Sequence, residues 1–464
     1  MIAGGVLLSS CTSTSGPDDG GLVKRIRAVG PGSKCRPTVR VCFVRRKEDY
    51  GMLWPGEMWD GEAARRRLIG QIDSAGQQLG MNIVLREGPL HSLEQTDNWL
   101  SEDAGADGIL MVLLDRQKHA WPSAAKAVQA NLPAVIYSPI GTSFTTNTES
   151  LANKPGSIIY STDDFGQVKY GMKMLAAMAR MRATRCLVIA GAKVIESRIP
   201  DLGIQLHYIP ASEFLEMYQK TPENAEIFAL ADELIRHSTA MTGATRQDVI
   251  NGVKSYVVAR TLLEREQADA ISMDCLGALG ASKVSLPCIA WAKMNDDGVP
   301  AACEADIGAM ATHILVQQLF DRPGFQQDPV GDTSVDAVIG AHCSCPTRLN
   351  GLSEKPERYD IVHHHGKRDA TMRPVWKVGQ RVTSADVEPG SGGKPTRVIV
   401  ASGTVLDNVA VPPAGGCVIS VRVKFDGNGN VLEFPGFHQI FLYGDFKKQL
   451  AQYCQLARVQ AAFA

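Results

Sequence analysis

Residues 287–320 read PCIAWAKMNDDGVPAACEADIGAMATHILVQQLF, and residues 321–346 continue DRPGFQQDPVGDTSVDAVIGAHCSCP. An apolar run at Pro287–Ala290 predicts a strand, and Asn295–Gly298 a turn. Ala301, Ala302, Cys303 and Ala305 surround Glu304 with small side chains. From Asp306 to Phe320 the spacing of Ile307, Met310, Ala311, Ile314, Leu315 and Leu319 predicts a helix with one buried face. A polar loop carrying Asp328 and Asp332 follows, then a strand, Ala337–Ala341, that ends at His342. A helix between short apolar strands is the grammar of an α/β protein. The same unit holds carboxylates and an imidazole, side chains that can ligate a divalent cation or carry a proton. A capped helix, a solvated loop and a satisfied histidine are the structural alternatives, and for Asp306 the cap is the expected role.

The alternation extends towards the N-terminus. Thr38–Val44, Ile83–Leu85, Gly108–Leu114 and Pro133–Tyr137 are expected strands, with helices at Gly61–Leu79 and Ala124–Ala130 between them. A polar loop follows at Gly141–Ser157. Alternation then resumes through Phe165–Met181, Arg185–Ile189, Gln205–Ile209, Glu213–Tyr218, Ala225–Ser238, Asp248–Glu266 and Ala270–Met273. Such alternation predicts parallel sheets covered on both faces. No GxGxxG occurs, so no dinucleotide site is implied. Beyond Asn350 helical periodicity stops. Arg397–Ala401, Cys417–Phe425 and His438–Tyr443 are strand-like, Asp426–Gly429 is a hairpin signal, and a helix at Phe446–Arg458 closes the chain. The expected architecture is α/β: two doubly wound parallel-sheet domains at 36–156 and 157–350, then a smaller β-rich domain at 351–464, preceded by a 1–35 segment.

The 464 residues are 44% hydrophobic and 21% charged, with a formal net charge of −1. That balance gives no support to a nucleic-acid partner. No apolar run reaches the roughly 18 residues of a membrane span. Met1–Gly21 (MIAGGVLLSSCTSTSGPDDGG) places an apolar run and Leu8-Ser9-Ser10-Cys11 ahead of a polar linker, in the order of a lipoprotein signal without its charged first part. Export with a lipid anchor on Cys11 is therefore expected, and a cytoplasmic protein with an N-terminal tail is the alternative. None of the 11 cysteines forms a CxxC pair, which argues against a zinc ribbon. His363-His364-His365, between polar flanks, is read as a solvated loop rather than a metal cluster.

Two patches carry a family resemblance. CEADIGA (303–309) with the carboxylate loop and AHCSCP (341–346) resembles the metal-site region of the L-fucose isomerase and L-arabinose isomerase superfamily. FPGFHQIFLYGDFKKQL (434–450) resembles its closing segment, in which a ligand histidine precedes a Gly-Asp turn, here His438 before Gly444 and Asp445. The resemblance spans roughly residue 157 to the end. It departs from many relatives in having Phe437, not a second histidine, before His438. It implies Glu304 and Asp328 as catalytic carboxylates, with Asp328 preferred over Asp332 by family spacing. It further implies Glu304, Asp328 and His438, with His342, as ligands of Mn²⁺ or Mg²⁺, a small sugar as substrate, and a homo-oligomer, trimer or hexamer. Within this reading Trp59, in the aromatic loop Trp54–Trp59, is a candidate sugar platform, and a core-covering tryptophan is the other reading. The expected reaction is aldose–ketose interconversion of a deoxyhexose or pentose through an enediol. The alternatives are an exported carbohydrate-binding lipoprotein of the solute-receptor type, or a degenerate isomerase relative with another carbohydrate activity.

Overall fold

The computed structural model describes residues 22–48, 51–54, 58–102, 105–116, 118–282, 284–364, 368–410, 417–427 and 429–464. The Leu8–Cys11 pattern, His365 and Asn428 of the expected hairpin turn lie outside them. Among the described residues no helix is long and apolar enough to cross a membrane. The described chain forms two compact units. One holds 36–179 and 455–458; the other holds 22–35, 180–454 and 459–464.

The first unit is built on β1 (Thr38–Val44), β2 (Asn82–Leu85), β3 (Gly108–Leu113), β4 (Ala134–Ser138) and β5 (Ser157–Ser161). All pairings are parallel, in the order β2-β1-β3-β4-β5. β3 (GILMVL) is buried along its whole length, as a strand covered on both faces must be. The sheet runs past residue 156, because β5 adds to its edge. Trp59 pairs with Gly51 in a short hairpin of this unit and is half-buried.

The second unit begins with another sheet. Its strands are β6 (Arg185–Ile189), β7 (Ile195–Arg198), β8 (Gln205–Ile209), β9 (Ala270–Met273) and β10 (Ala301–Cys303). Their order is β10-β9-β6-β8-β7, parallel except for the antiparallel edge strand β7. Pro287–Ala290, expected as a strand, instead opens the helix Cys288–Asp296. An apolar run that short has no period to separate a strand from a helix buried all round, and this helix is buried from Cys288 to Ala292. The buried Asn295 amide fixes the turn beyond the helix. It donates to the Trp291 and Ala301 carbonyls and accepts from the Ala301 N–H, so the turn leads directly into β10.

Next come β11 (Phe325–Asp332), β12 (Ala337–His342), β13 (Tyr359–His364), β14 (Arg368–Pro374), β15 (Arg381–Glu388), β16 (Arg397–Asn408), β17 (Ile419–Phe425), β18 (Gln439–Tyr443) and β19 (Gln460–Phe463). β15-β18-β11-β12-β17-β16 run in that order, and β16 pairs back onto β15, which closes a barrel. β19 lies parallel along β16. Phe325, Val338, Val421, Val423, Phe441 and Tyr443 fill its interior. The barrel therefore starts at Phe325, inside the stretch read as α/β. The hairpin expected across Asp426–Gly429 is not made. β17 pairs with β12 and β16, while β18 pairs with β11 and β15. β13 and β14 form a separate small sheet with Met241–Thr242.

Candidate metal centre

Glu304 stands just past the C-terminal end of β10, where open α/β sheets place their ligands. Glu304 and Ala305 both have left-handed backbones, φ 62° and 53°. Such residues cost roughly 1–2 kcal/mol each, and persist where the surroundings hold them. Here the Ala305 N–H donates to the Met273 carbonyl and that of Asp306 to the Cys303 carbonyl. The double left-handed step turns the chain sharply between the sheet edge and the helix Ile307–Phe320. Asp306 caps that helix, its Oδ1 accepting from the Ala309 N–H at 2.8 Å.

The barrel supplies the other side. Gln326, at the start of β11, clamps the sheet edge. Its Oε1 accepts from the Cys303 N–H at 2.9 Å and its Nε2 donates to the Cys303 carbonyl at 3.4 Å. Asp328 follows two residues later and pairs with Ala341, the residue before His342 on β12. His438 immediately precedes β18, on the opposite flank of β11, again with a left-handed backbone, φ 48°.

These elements bring Glu304, Asp328, His342 and His438 together. His438 Nε2 lies 3.1 Å from Asp328 Oδ1 and 3.4 Å from Glu304 Oε2. His342 Nε2 lies 4.0 Å from Glu304 Oε1. Donor atoms of Glu304, His342 and His438 all fall within 4.8 Å of one another. Asp332 is not part of this group. It turns away to Arg422 and to the Ser334 hydroxyl. Trp59 belongs to the first unit and is not in this cluster.

Asp306 does more than cap. Its Oδ2 meets His438 Nδ1 at 2.9 Å, which fixes the ring so that Nε2 faces Glu304 and Asp328. This is the carboxylate–histidine pairing that orients a metal ligand. Burial alone would lower the pKa of His438, but the carboxylates of Asp306, Asp328 and Glu304 prevail and push it up to about 11. His342 is likewise opposed by burial, and the Cys343 sulfur and Asp328 lift it to about 9. The cluster thus attracts positive charge strongly. His438 Nε2 and Asp328 Oδ1 are buried, yet neither meets hydrogen-bond geometry with a partner among the described residues. Two carboxylates and two imidazoles, with orphaned donor atoms facing one another, fit a divalent cation of the Mn²⁺ or Mg²⁺ kind.

Sequence reading gave no site role to three neighbours. Phe437 is 62% exposed beside His438, its ring 4.4 Å away, an aromatic surface at the rim. Asp386 is buried, and burial followed by Glu388 and Asp306 raises its carboxyl to about 7. The Cys343 sulfur is 3.4 Å from His342 Nδ1. His364, expected in a solvated loop, ends β13 and is buried, because strand register and not local polarity sets its side.

No family model matches the chain. Over 276 residues it is 24% identical to the sulfoquinovose isomerase of Clostridium sp. (strain MSTE9), a match spanning 54% of this chain and 60% of that protein. The chain is thus distantly similar to a sugar isomerase.

Proposed function

We propose that this protein is a metal-dependent sugar isomerase that interconverts an aldose and its ketose. The observation that carries the reading is the convergence of Glu304, Asp328, His342 and His438 from a sheet edge and three barrel strand segments, with Asp306 orienting His438. Structural charge pairs are usually local in sequence, whereas these come from four separate segments. Glu304, Asp328, His438 and His342 would hold Mn²⁺ or Mg²⁺. Bound there, the cation supplies a Lewis acid for the negative charge that develops on the two sugar oxygens.

The side chains supply the rest. One of the two carboxylates removes the proton from C2 of the aldose, and a proton is returned to C1, while the hydroxyl proton of O2 passes to O1. Glu304 is assigned as base because it is the most exposed residue of the cluster, Asp328 being half-buried and both histidines buried. Phe437 offers an apolar face to the sugar's C–H groups. The substrate class is a deoxyhexose or pentose. A sulfonated deoxyhexose belongs on the test panel, because the similar protein is named for sulfoquinovose.

Incubating the protein with such a panel in D₂O, with Mn²⁺ and then with EDTA, tests the reading. The expected result is ketose formation with deuterium entering C1 or C2, abolished by EDTA. Sugar binding without exchange or interconversion of any panel member would overturn it in favour of a carbohydrate receptor.

A further inference from the structure

Behind the candidate centre lies a second group of ligating side chains. Cys288 opens the helix Cys288–Asp296, Cys343 follows β12, and His364 ends β13. Their donor atoms all lie within 4.8 Å of one another, and their exposures are 2%, 7% and 1%. The backbone at both cysteines is pinned. The Ser344 hydroxyl donates to the Cys288 carbonyl at 3.0 Å, and the Thr371 hydroxyl to the Cys343 carbonyl at 2.7 Å. The Cys303 sulfur also lies within 4.8 Å of that of Cys343. Among the described residues no disulfide forms.

From this geometry we infer a second metal site, for a thiophilic divalent cation of the Zn²⁺ class, ligated by Cys288, Cys343 and His364. It does not rest on the isomerase reading. Zinc bonds of about 2.3 Å to sulfur and 2.0–2.1 Å to nitrogen set tetrahedral donor separations of roughly 3.4–3.8 Å, so a small contraction of this triad closes around the ion. The charges cancel. Two thiols lose their protons, two sulfur–metal bonds form, and two thiolates with one neutral imidazole hold a dication in a neutral group. That neutrality suits a site inside an apolar cluster that includes Ile289, Ile361 and Met372. Soft sulfur donors select against the Mn²⁺ or Mg²⁺ of the first centre. Cys343 also belongs to a triad with Cys303 and His342. That set is the weaker candidate, because His342 Nε2 faces Glu304. The bound ion would tie together a helix, the end of a barrel strand and the small β13–β14 sheet, a structural role.

Cobalt(II) substitution of the full-length protein tests this. The expected result is a thiolate-to-cobalt charge-transfer absorption in the near ultraviolet that survives Glu304→Gln and is diminished in Cys288→Ala. Alanine in place of a buried cysteine leaves a small apolar side chain, and circular dichroism checks that this variant folds. A second measurement needs no variant: Zn²⁺ added to the metal-free wild type should protect two thiols from a chromophoric thiol reagent. Absence of the thiolate band, a band indifferent to Cys288→Ala, an unprotected wild type, or a Cys288–Cys343 disulfide in the isolated protein would each overturn the inference.

Discussion

Glu304 is the residue on which the proposed chemistry turns. Glu304→Gln keeps size and shape and removes the charge, so it should weaken Mn²⁺ binding. Turnover should fall at least the roughly 10²-fold attributed to a general base. Titration calorimetry and sugar turnover check both, and a fully active Glu304→Gln enzyme sinks the assignment. Asp306→Asn separates two roles carried by one carboxylate. Asparagine caps a helix about as well as aspartate, so stability should change little. The contact with His438 Nδ1 loses its charge, and metal affinity should fall about 10–100-fold, as for other partners of metal-ligating histidines. An affinity equal to wild type would show Asp306 to be a cap alone. Sequence reading singled out Glu304 by its small neighbours and His342 by its strand end, and took Asp328 and His438 from the family resemblance; the fold brings the four side chains together. It found only the capping half of Asp306. The other half depends on a histidine 132 positions away, which no local pattern encodes.

At the scale of elements, long periodic helices such as Asp306–Phe320 and the wholly apolar parallel strands were legible. The four residues Pro287–Ala290 were not, since a run that short fits a strand and a buried helix equally. Barrel closure was also hidden: β16 must find β15, and β18 must lie between β15 and β11, pairings set by register and packing. The join between sheet edge and barrel rests on Gln326, which serves both the N–H and the carbonyl of Cys303. Gln326→Leu leaves that buried N–H without its partner and should cost about 1–3 kcal/mol in chemical denaturation. It should also weaken Mn²⁺ binding, because Glu304 and Asp328 are held across this join. Unchanged stability would mean that the clamp contributes nothing. Asp386, on β15, gives the unit a pH signature. Its carboxyl stays protonated to about pH 7 when folded, against an ordinary value of 3.8. The unfolded chain therefore releases this proton first as pH rises. Its contribution to stability is full below pH 3.8 and is lost as pH rises through about 7. At about 1.4 kcal/mol per pKa unit the loss is at most about 4 kcal/mol. In chelator-treated protein, Asp386→Asn should flatten the fall in stability over this window. An identical slope in the variant would assign the pH dependence elsewhere.

For the molecule as a whole, a formal net charge of −1 gives no general field to gather cations. Any strong cation effect must then come from a local site. Around His438 three carboxylates, those of Glu304, Asp306 and Asp328, stand within 3.4 Å of one imidazole. Without a cation, that crowding is relieved by protonating the imidazole. The proposed divalent ion would relieve it better and, binding only the folded chain, would raise thermal stability by mass action. At one hundred times its dissociation constant the gain is about 2.7 kcal/mol, which corresponds to a rise of roughly 4 °C for a unit of this size. Mn²⁺ is the right probe because it is a poor partner for buried thiols, so the Cys288–Cys343–His364 group should not respond to it. Scanning calorimetry of chelator-treated protein, with and without Mn²⁺, should therefore show a shift in wild type that is absent from Glu304→Gln and retained in Cys288→Ala. An equal shift in Glu304→Gln would mean that Mn²⁺ binds somewhere other than the end of β10, and the isomerase reading would lose its metal.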